Sequence, residues 1–380
     1  MVLRFSDGFD DYSEENWLSM QYNRQWEFVT NGSATITPVA AAGKYGGVGL
    51  KLVNSATLAI ARQNHWRGAT PTYNISVVAL WFKTATAQTP SANHTIFALQ
   101  ETGSTPYPGA QLQNQVNIGV TTTGVLGISK FGQTTDNNFT AGTGSTNICD
   151  GNWHHITVAI RAISGINGVA LGRVDGSAEI TFTGGSMLNI STGFQPLDKI
   201  AIVNHNRQQT DYYIDDLFMY DDINAVVTGD IDYDTHWPID NHRIETLRPS
   251  AAGTNADFTA TGAADNYACV DELTNDYDTT YLSSSTTGHT DSYAFDNLTG
   301  TVTTIEGVAM NVCSRQASAG SVQYKAFALS GGTEGTYATK TYPTSFESPH
   351  QYNVMPTDPD TSAAWTESGI NAAEFGIETQ

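Results

Sequence analysis

Short apolar runs separated by clusters of turn-forming residues make up most of this chain. Ile75–Lys83, Trp153–Arg161, Ala178–Phe182 and Lys199–Val203 are rich in β-branched and aromatic residues and too short for buried helices, so they predict strands. Gly142–Asn147 and Gly184-Gly185 punctuate them with Gly, Asn, Thr and Ser. Asp211–Tyr220 predicts a further strand that ends in Asp221-Asp222. Beyond it, Ile305–Val312 and Tyr324–Leu329 have the same character. Helical periodicity is confined to short stretches near Ser13–Trp17 and Gly369–Phe375. Many strands with turns between them and almost no helix predict an all-β sandwich.

Composition agrees and narrows the classes. Charged residues are only 14% of the 380, against about 25% in an average domain, so the wet faces of a helical bundle or coiled coil are not provided for. With 38 acidic and 17 basic side chains the formal charge is −21, which argues against binding a phosphate backbone, where Lys and Arg must displace counterions. The charge is uneven. Residues 1–230 hold 18 acidic and 12 basic side chains, residues 231–380 hold 20 and 5. We therefore expect a sandwich domain over 1–225, an acidic linker over 226–242 that includes Thr228–Asp234, and a second, smaller β-rich domain over 243–380. The amino terminus turns acidic at Asp7 and no run of about 18 apolar residues occurs, so neither a targeting segment nor membrane insertion is expected. The three cysteines, Cys149, Cys269 and Cys313, show no CxxC spacing. Cys269 and Cys313 could pair if their strands adjoin, but the odd count speaks for buried thiols.

Particular motifs carry a family resemblance. Asp150-Gly151-Asn152-Trp153-His154-His155-Ile156 resembles the "DGxWHHV" strand of laminin-G-like, concanavalin A-like jelly-roll sandwiches. Arg173-Val174-Asp175-Gly176 would be the turn that follows it, and Ile214-Asp215-Asp216-Leu217 the late "IDD" strand. The opening Phe5-Ser6-Asp7-Gly8-Phe9-Asp10-Asp11-Tyr12 is similar to the start of many tailed-bacteriophage virion proteins built on this sandwich. The later part resembles a segment that often follows such a domain in tailed-phage structural proteins, through Arg243–Pro249, Val270-Asp271-Glu272, Asp276–Tyr281, Thr357–Thr361, Ala364-Trp365-Thr366 and Glu374-Phe375-Gly376. The resemblance implies a virion component.

The chemistry sought is mostly not found. Retaining sandwich glucanases alternate carboxylates on one strand, about 5–5.5 Å apart across the cleft, and no ExDxxE pattern occurs. Asp215 and Asp216 are adjacent, so regular strand alternation would send them to opposite faces. GxSxG, HExxH and P-loop motifs are absent, and the chain is expected not to be an enzyme. His154 and His155 would likewise face opposite sides, one packed or hydrogen-bonded and the other wet. Trp153, Trp81 and Trp26 are read as core residues, with a sugar-stacking platform as the alternative. No catalytic, cofactor-binding or metal-ligating residue is assigned. If an ion binds, Ca²⁺ is the candidate, since lectin-like sandwiches often hold it where first and last strands meet. Asp7 or Asp10 would then lie beside Asp215 or Asp216. The loop Asp271–Asp278 is a second candidate, although it lacks EF-hand spacing, and in either place the Asp residues could instead cap turns.

The expected function is that of a structural component of a tailed-phage particle, at the tail tip, on a fibre or as capsid decoration. It would be made in the host cytoplasm, contact other virion proteins and form a homo-oligomer. The alternative is a carbohydrate-binding adhesion module for host surface glycans.

Overall fold

A computed structural model describes residues 2–10, 26–30, 36–53, 59–64, 75–100, 115–130, 138–162, 168–187, 199–204, 209–222, 242–272, 276–317, 322–342, 344, 347–351 and 354–380. The chain divides into two compact units, Met1–Ile244 and Glu245–Gln380. The acidic linker expected over 226–242 lies outside the described residues except for His242, and the helix expected near Ser13–Trp17 lies wholly outside them.

The first unit is a jelly-roll β-sandwich of two antiparallel sheets. One sheet is eight-stranded and runs Ser177–Gly185, Gly168–Val174, His154–Arg161, Ile75–Thr84, Tyr212–Asp222, Gly49–Leu52, Ile36–Val39, with Val2–Asp7 also paired to Tyr212–Asp222. The other is seven-stranded and runs Gly142–Asn147, Val125–Ile128, Gln115–Val120, His94–Gln100, Lys199–Asn204, Ala59–Asn64, Trp26–Thr30. Between them lies one core, to which Val78, Leu80, Phe82, Ile156, Val158 and Ile160 come from the first sheet. Ile118, Val120, Leu126, Ile128, Ile200 and Ile202 come from the second.

The central strands of the eight-stranded sheet are apolar on both sides. Val77, Ala79, Ala159, Val169, Leu171, Phe218 and Tyr220 form a second buried cluster on its outer face, against which Ile244 packs. That is why Ile75–Thr84 and His154–Arg161 show continuous apolar runs in place of the alternation of a half-wet strand. At one edge the two sheets are tied together by Glu179, whose carboxylate accepts from Ser145 Oγ at 2.9 Å and Thr146 N at 3.1 Å. The turn expected at Arg173–Gly176 is a tight hairpin, with φ of 50° at Asp175 and 79° at Gly176, the left-handed values a two-residue turn requires.

The second unit is built on a six-stranded antiparallel sheet. Its order is Pro249–Ala256, Thr290–Phe295, Glu374–Thr379, Gln323–Ser330, Thr333–Thr336, and Lys340–Thr341 also pairs with Gln323–Ser330. Two sequence expectations need correcting here. Within Ile305–Val312 only Asn311 and Val312 belong to a strand, apart from a single bridge between Val308 and Met355; Ile305, Val308 and Met310 are half-buried packing against Trp365, Ile370 and Phe375, and among the described residues no further ladder partner pairs with them. The helix is Glu367–Ala372, capped by Thr366 Oγ1 accepting from Gly369 N at 3.0 Å. Phe375 is not helical: the backbone turns extended at Ala373, and Phe375 packs edge-on against Phe295, 5.4 Å between ring centroids.

Phe82 is fully buried in the intersheet core. Replacing it with Ala is expected to lower the unfolding free energy by about 3–5 kcal/mol, measured by urea denaturation. A loss below about 1 kcal/mol would contradict this placement.

Candidate functional site

The acidic residues singled out at the two ends of the first unit come together at a change of strand partners. Tyr212–Ile214 pair with Leu50–Leu52, whereas Leu217–Asp221 pair with Val2–Asp7, and the register slips between Asp215 and Phe218. Asp216 takes φ of 45° there. The bulge abolishes the alternation that would send Asp215 and Asp216 to opposite faces; both are buried, at 4% and 2% exposure. Asp215 Oδ1 accepts from Asp216 N at 2.9 Å and Asp215 Oδ2 from Lys44 N at 2.6 Å. Asp10 Oδ1 accepts from Val48 N at 2.7 Å, and Asp7 Oδ1 from Phe9 N at 2.9 Å. The Asp216 carboxylate receives the Ile244 amide, while its Oδ2 is buried without a hydrogen-bond partner.

Burial raises both carboxylates above the usual range. For Asp215 the charges of Asp10 and Asp7 add to the effect, and for Asp216 that of Asp215 does, against opposing backbone hydrogen bonds and Arg243. The donor set is the hard-oxygen kind that suits Ca²⁺. Even so, among the described residues no three His, Cys, Asp or Glu side chains are placed to hold one metal ion. The loop Asp271–Asp278, of which 273–275 lie outside the described residues, directs its carboxylates elsewhere: Asp276 Oδ2 accepts from Thr280 Oγ1 at 2.9 Å, Glu272 also meets Thr280, and Asp278 pairs with Arg315.

Asp10 and Asp215 grip the backbone of the loop between Val39 and Gly49. A Cβ on Gly43 would stand 2.7 Å from Asp215 Oδ2, and one on Gly47 2.1 Å from Asp10 Oδ1. A side chain at either position would push against the carboxylate that holds the loop's amides. Tyr45 at the tip is 46% exposed, the one exposed large apolar side chain among the described residues. Its ring meets Trp81 edge-on at 6.2 Å, with Arg243 at 5.1 Å and Lys44 at 5.9 Å from the ring centroid. Lys44 also lies 4.3 Å over Trp81, whose Nε1 donates to the His242 carbonyl at 3.0 Å. Nothing but the Gly-rich run Gly43-Lys44-Tyr45-Gly46-Gly47 hinted at this loop in the sequence.

His154 and His155 are both buried, so neither is the wet residue expected. His154 is held between Asp175 Oδ2 at 2.7 Å and Asp150 Oδ1 at 3.0 Å, which joins the start of its strand to the hairpin turn. Burial raises Asp150, but hydrogen bonds from Asn152 and His154 outweigh it and bring the carboxyl to about 2. His155 faces Trp81 at 5.0 Å, and burial, with His242 nearby, lowers it to about 4. Trp81 stands on the outer face of its sheet, not in the intersheet core; Lys83 lies 5.9 Å over Trp153, and the Trp26 side chain is outside the described residues. All three cysteines are unpaired, and burial pushes the Cys149 and Cys313 thiols up to about 12.

A second feature escaped the sequence reading. Val116, Ile118 and Val120 point into the core, so Asn117 and Gly119 point to the outward face of the seven-stranded sheet. Register places Ala98 and then Ala201 beside Asn117, and Thr95 beside Gly119. The Phe139 ring fills the position that a Cβ on Gly127 would occupy, at 2.3 Å. Asn117 and Thr95 are each 1% exposed, yet Asn117 Nδ2 and Oδ1 and Thr95 Oγ1 have no hydrogen-bond partner among the described residues. An amide, a hydroxyl and an aromatic ring thus border a floor of Gly and Ala.

No protein-family model matches the chain, and a search of curated proteins finds no significant match. Solved structures match the sandwich fold. A carbohydrate esterase from Shiga toxin-encoding bacteriophage phi24B is 17% identical, with 57% of this chain and 97% of that one covered and a TM-score of 0.37. An endo-β-1,4-glucuronan lyase from Trichoderma reesei is 12% identical over 51% and 90%, TM-score 0.39. A lectin from Griffonia simplicifolia is 14% identical over 57% and 99%, TM-score 0.35. Likeness at this level assigns no role to the chain. It corrects one expectation: an esterase and a lyase stand among the matches, so the exclusion of enzymatic activity is withdrawn.

A carboxyl raised in the folded state favours the protonated fold. Its contribution to stability is present below the unfolded value near 4 and lost as pH rises through the folded value, about 7 for Asp215. In chelator, Asp216→Asn is therefore expected to stabilise the protein by at least about 1 kcal/mol more at pH 8 than at pH 5, read from thermal melts. An equal effect at both pH values would contradict the raised pair.

Proposed function

We propose that the first unit is a glycan-binding sandwich and that the chain serves as a surface component of a tailed-phage particle. The observation that carries the glycan reading is the pair of buried, unpartnered polar side chains, Asn117 and Thr95, on the outward face of the seven-stranded sheet. Leaving a buried polar group unsatisfied costs about 1–3 kcal/mol, so a pair of them side by side on one face calls for a partner. Adjacent sugar hydroxyls are both donors and acceptors and would satisfy an amide and a hydroxyl together, while a sugar's C–H face suits the Phe139 ring. Because both side chains lie beneath the surface, a ligand has to displace what covers them, and association slower than about 10⁵ M⁻¹s⁻¹ is expected.

The virion setting is supported by the phage-like motifs at Phe5–Tyr12 and Arg243–Pro249. A homo-oligomer with other virion proteins as partners fits it, and many copies on one particle would add weak glycan contacts through effective concentration. Antibody raised against the chain is expected to decorate intact particles, and a glycan array of host surface polysaccharides is expected to give hits. Asn117→Leu is expected to abolish the hits on uncharged polysaccharides while raising stability by about 1–3 kcal/mol, since it removes an unsatisfied amide. Unchanged hits, or a destabilised variant, would contradict the ligand role of Asn117.

A further inference from the structure

The exposed Tyr45 loop remains unexplained by that patch. Trp81 alternates with the core residues Leu80 and Phe82, so the loop stands over the outer face of the eight-stranded sheet, on the opposite side of the sandwich from Asn117. Its shape is fixed at a cost. Gly43, Gly47 and Gly49 each sit where a Cβ would come within 3 Å of a neighbouring oxygen, and Gly46 has φ of 92°. Two half-buried or buried carboxylates hold the amides of Lys44 and Val48. The structure thereby keeps an aromatic ring presented to water, on a tip with little freedom left to lose on binding, as an anchor residue requires.

The neighbours define the ligand chemistry. Arg243 and Lys44 lie 5.1 Å and 5.9 Å from the Tyr45 ring centroid, and Arg243 is exposed. The acids beneath, Asp215 and Asp216, are at most 4% exposed, so a ligand meets the ring and the two cations first. A sugar carrying a carboxylate matches both: its C–H face stacks on the ring, and its carboxylate takes charge-assisted hydrogen bonds from the guanidinium and the ammonium. The chain's net charge of −21 opposes a polyanion overall, so the ring and its two cations have to supply the attraction. We infer that Tyr45, Lys44 and Arg243 form a contact site for carboxylated polysaccharide, separate from the Asn117 patch; the inference extends the glycan reading to a second face and an acidic ligand.

Polygalacturonate is the probe, titrated into the full chain by calorimetry, with neutral dextran as its uncharged counterpart. Wild type is expected to bind polygalacturonate. Tyr45→Ala and Arg243→Gln are each expected to weaken binding at least tenfold with melting temperatures unchanged, and Tyr45→Phe to retain most of it. Lys83→Gln, which removes a cation beside Trp153, serves as the charge-matched control and is expected to bind as wild type does. No binding by wild type, equal loss in the control, or wild-type affinity in Tyr45→Ala and Arg243→Gln overturns the inference. If the host glycan array is positive while polygalacturonate fails, this inference alone falls; if both are blank, the glycan reading falls with it.

Discussion

The first unit depends on a strand that cannot keep one partner along its length. Tyr212–Asp222 is flanked at its start by Gly49–Leu52 and at its end by Val2–Asp7, and the bulge at Asp215–Asp216 makes the exchange. At such a point backbone groups on that edge lose their ladder, and buried amides must find other acceptors. Carboxylates supply them. Asp215 serves Lys44 N and Asp216 N, Asp10 serves Val48 N, and Asp216 receives the amide of Ile244. One acidic cluster therefore fixes the late strand, the Tyr45 loop and the end of the first unit's chain at once. The same cluster concentrates like charges in a place with little water, which is why its carboxyls are raised.

Much of this fold was legible in the sequence because the central strands announce themselves. Ile75–Thr84 and His154–Arg161 are buried on both faces, so their apolar runs are unbroken, and the turn that the family resemblance placed at Arg173–Gly176 is a hairpin at Asp175-Gly176. The expected meeting of Asp7 or Asp10 with Asp215 or Asp216 also follows, since first and last strands pair. Elsewhere tertiary structure overrides local rules. Alternation put Asp215 and Asp216 on opposite faces, but a bulge is invisible to a period of two. Ile305–Met310 has strand-forming residues but, among the described residues, makes only the single bridge from Val308 to Met355. One of His154 and His155 was expected to be wet because one face of their sheet was assumed to be open, yet both are buried.

The two features with most bearing on function were missed for different reasons. Tyr45 lies in a stretch with no strand or helix pattern; its signal was the density of glycine around a single aromatic, which marks close backbone approach more than flexibility. Asn117 sits inside Val116–Val120, where one amide among apolar residues is easily taken for tolerance, and only the outward direction of its side chain and the lack of a partner give it meaning. Both belong to opposite faces of one sandwich, so the same core that makes the sheets rigid also holds two surfaces in fixed geometry.

The most direct test of the account is the titration of the aspartate carboxyls by ¹³C NMR on protein labelled at Asp. Two resonances, removed or shifted by Asp215→Asn and Asp216→Asn, are expected to titrate well above the usual carboxylate range, one of them near pH 7. Finding every aspartate titrated below about pH 5 would contradict it.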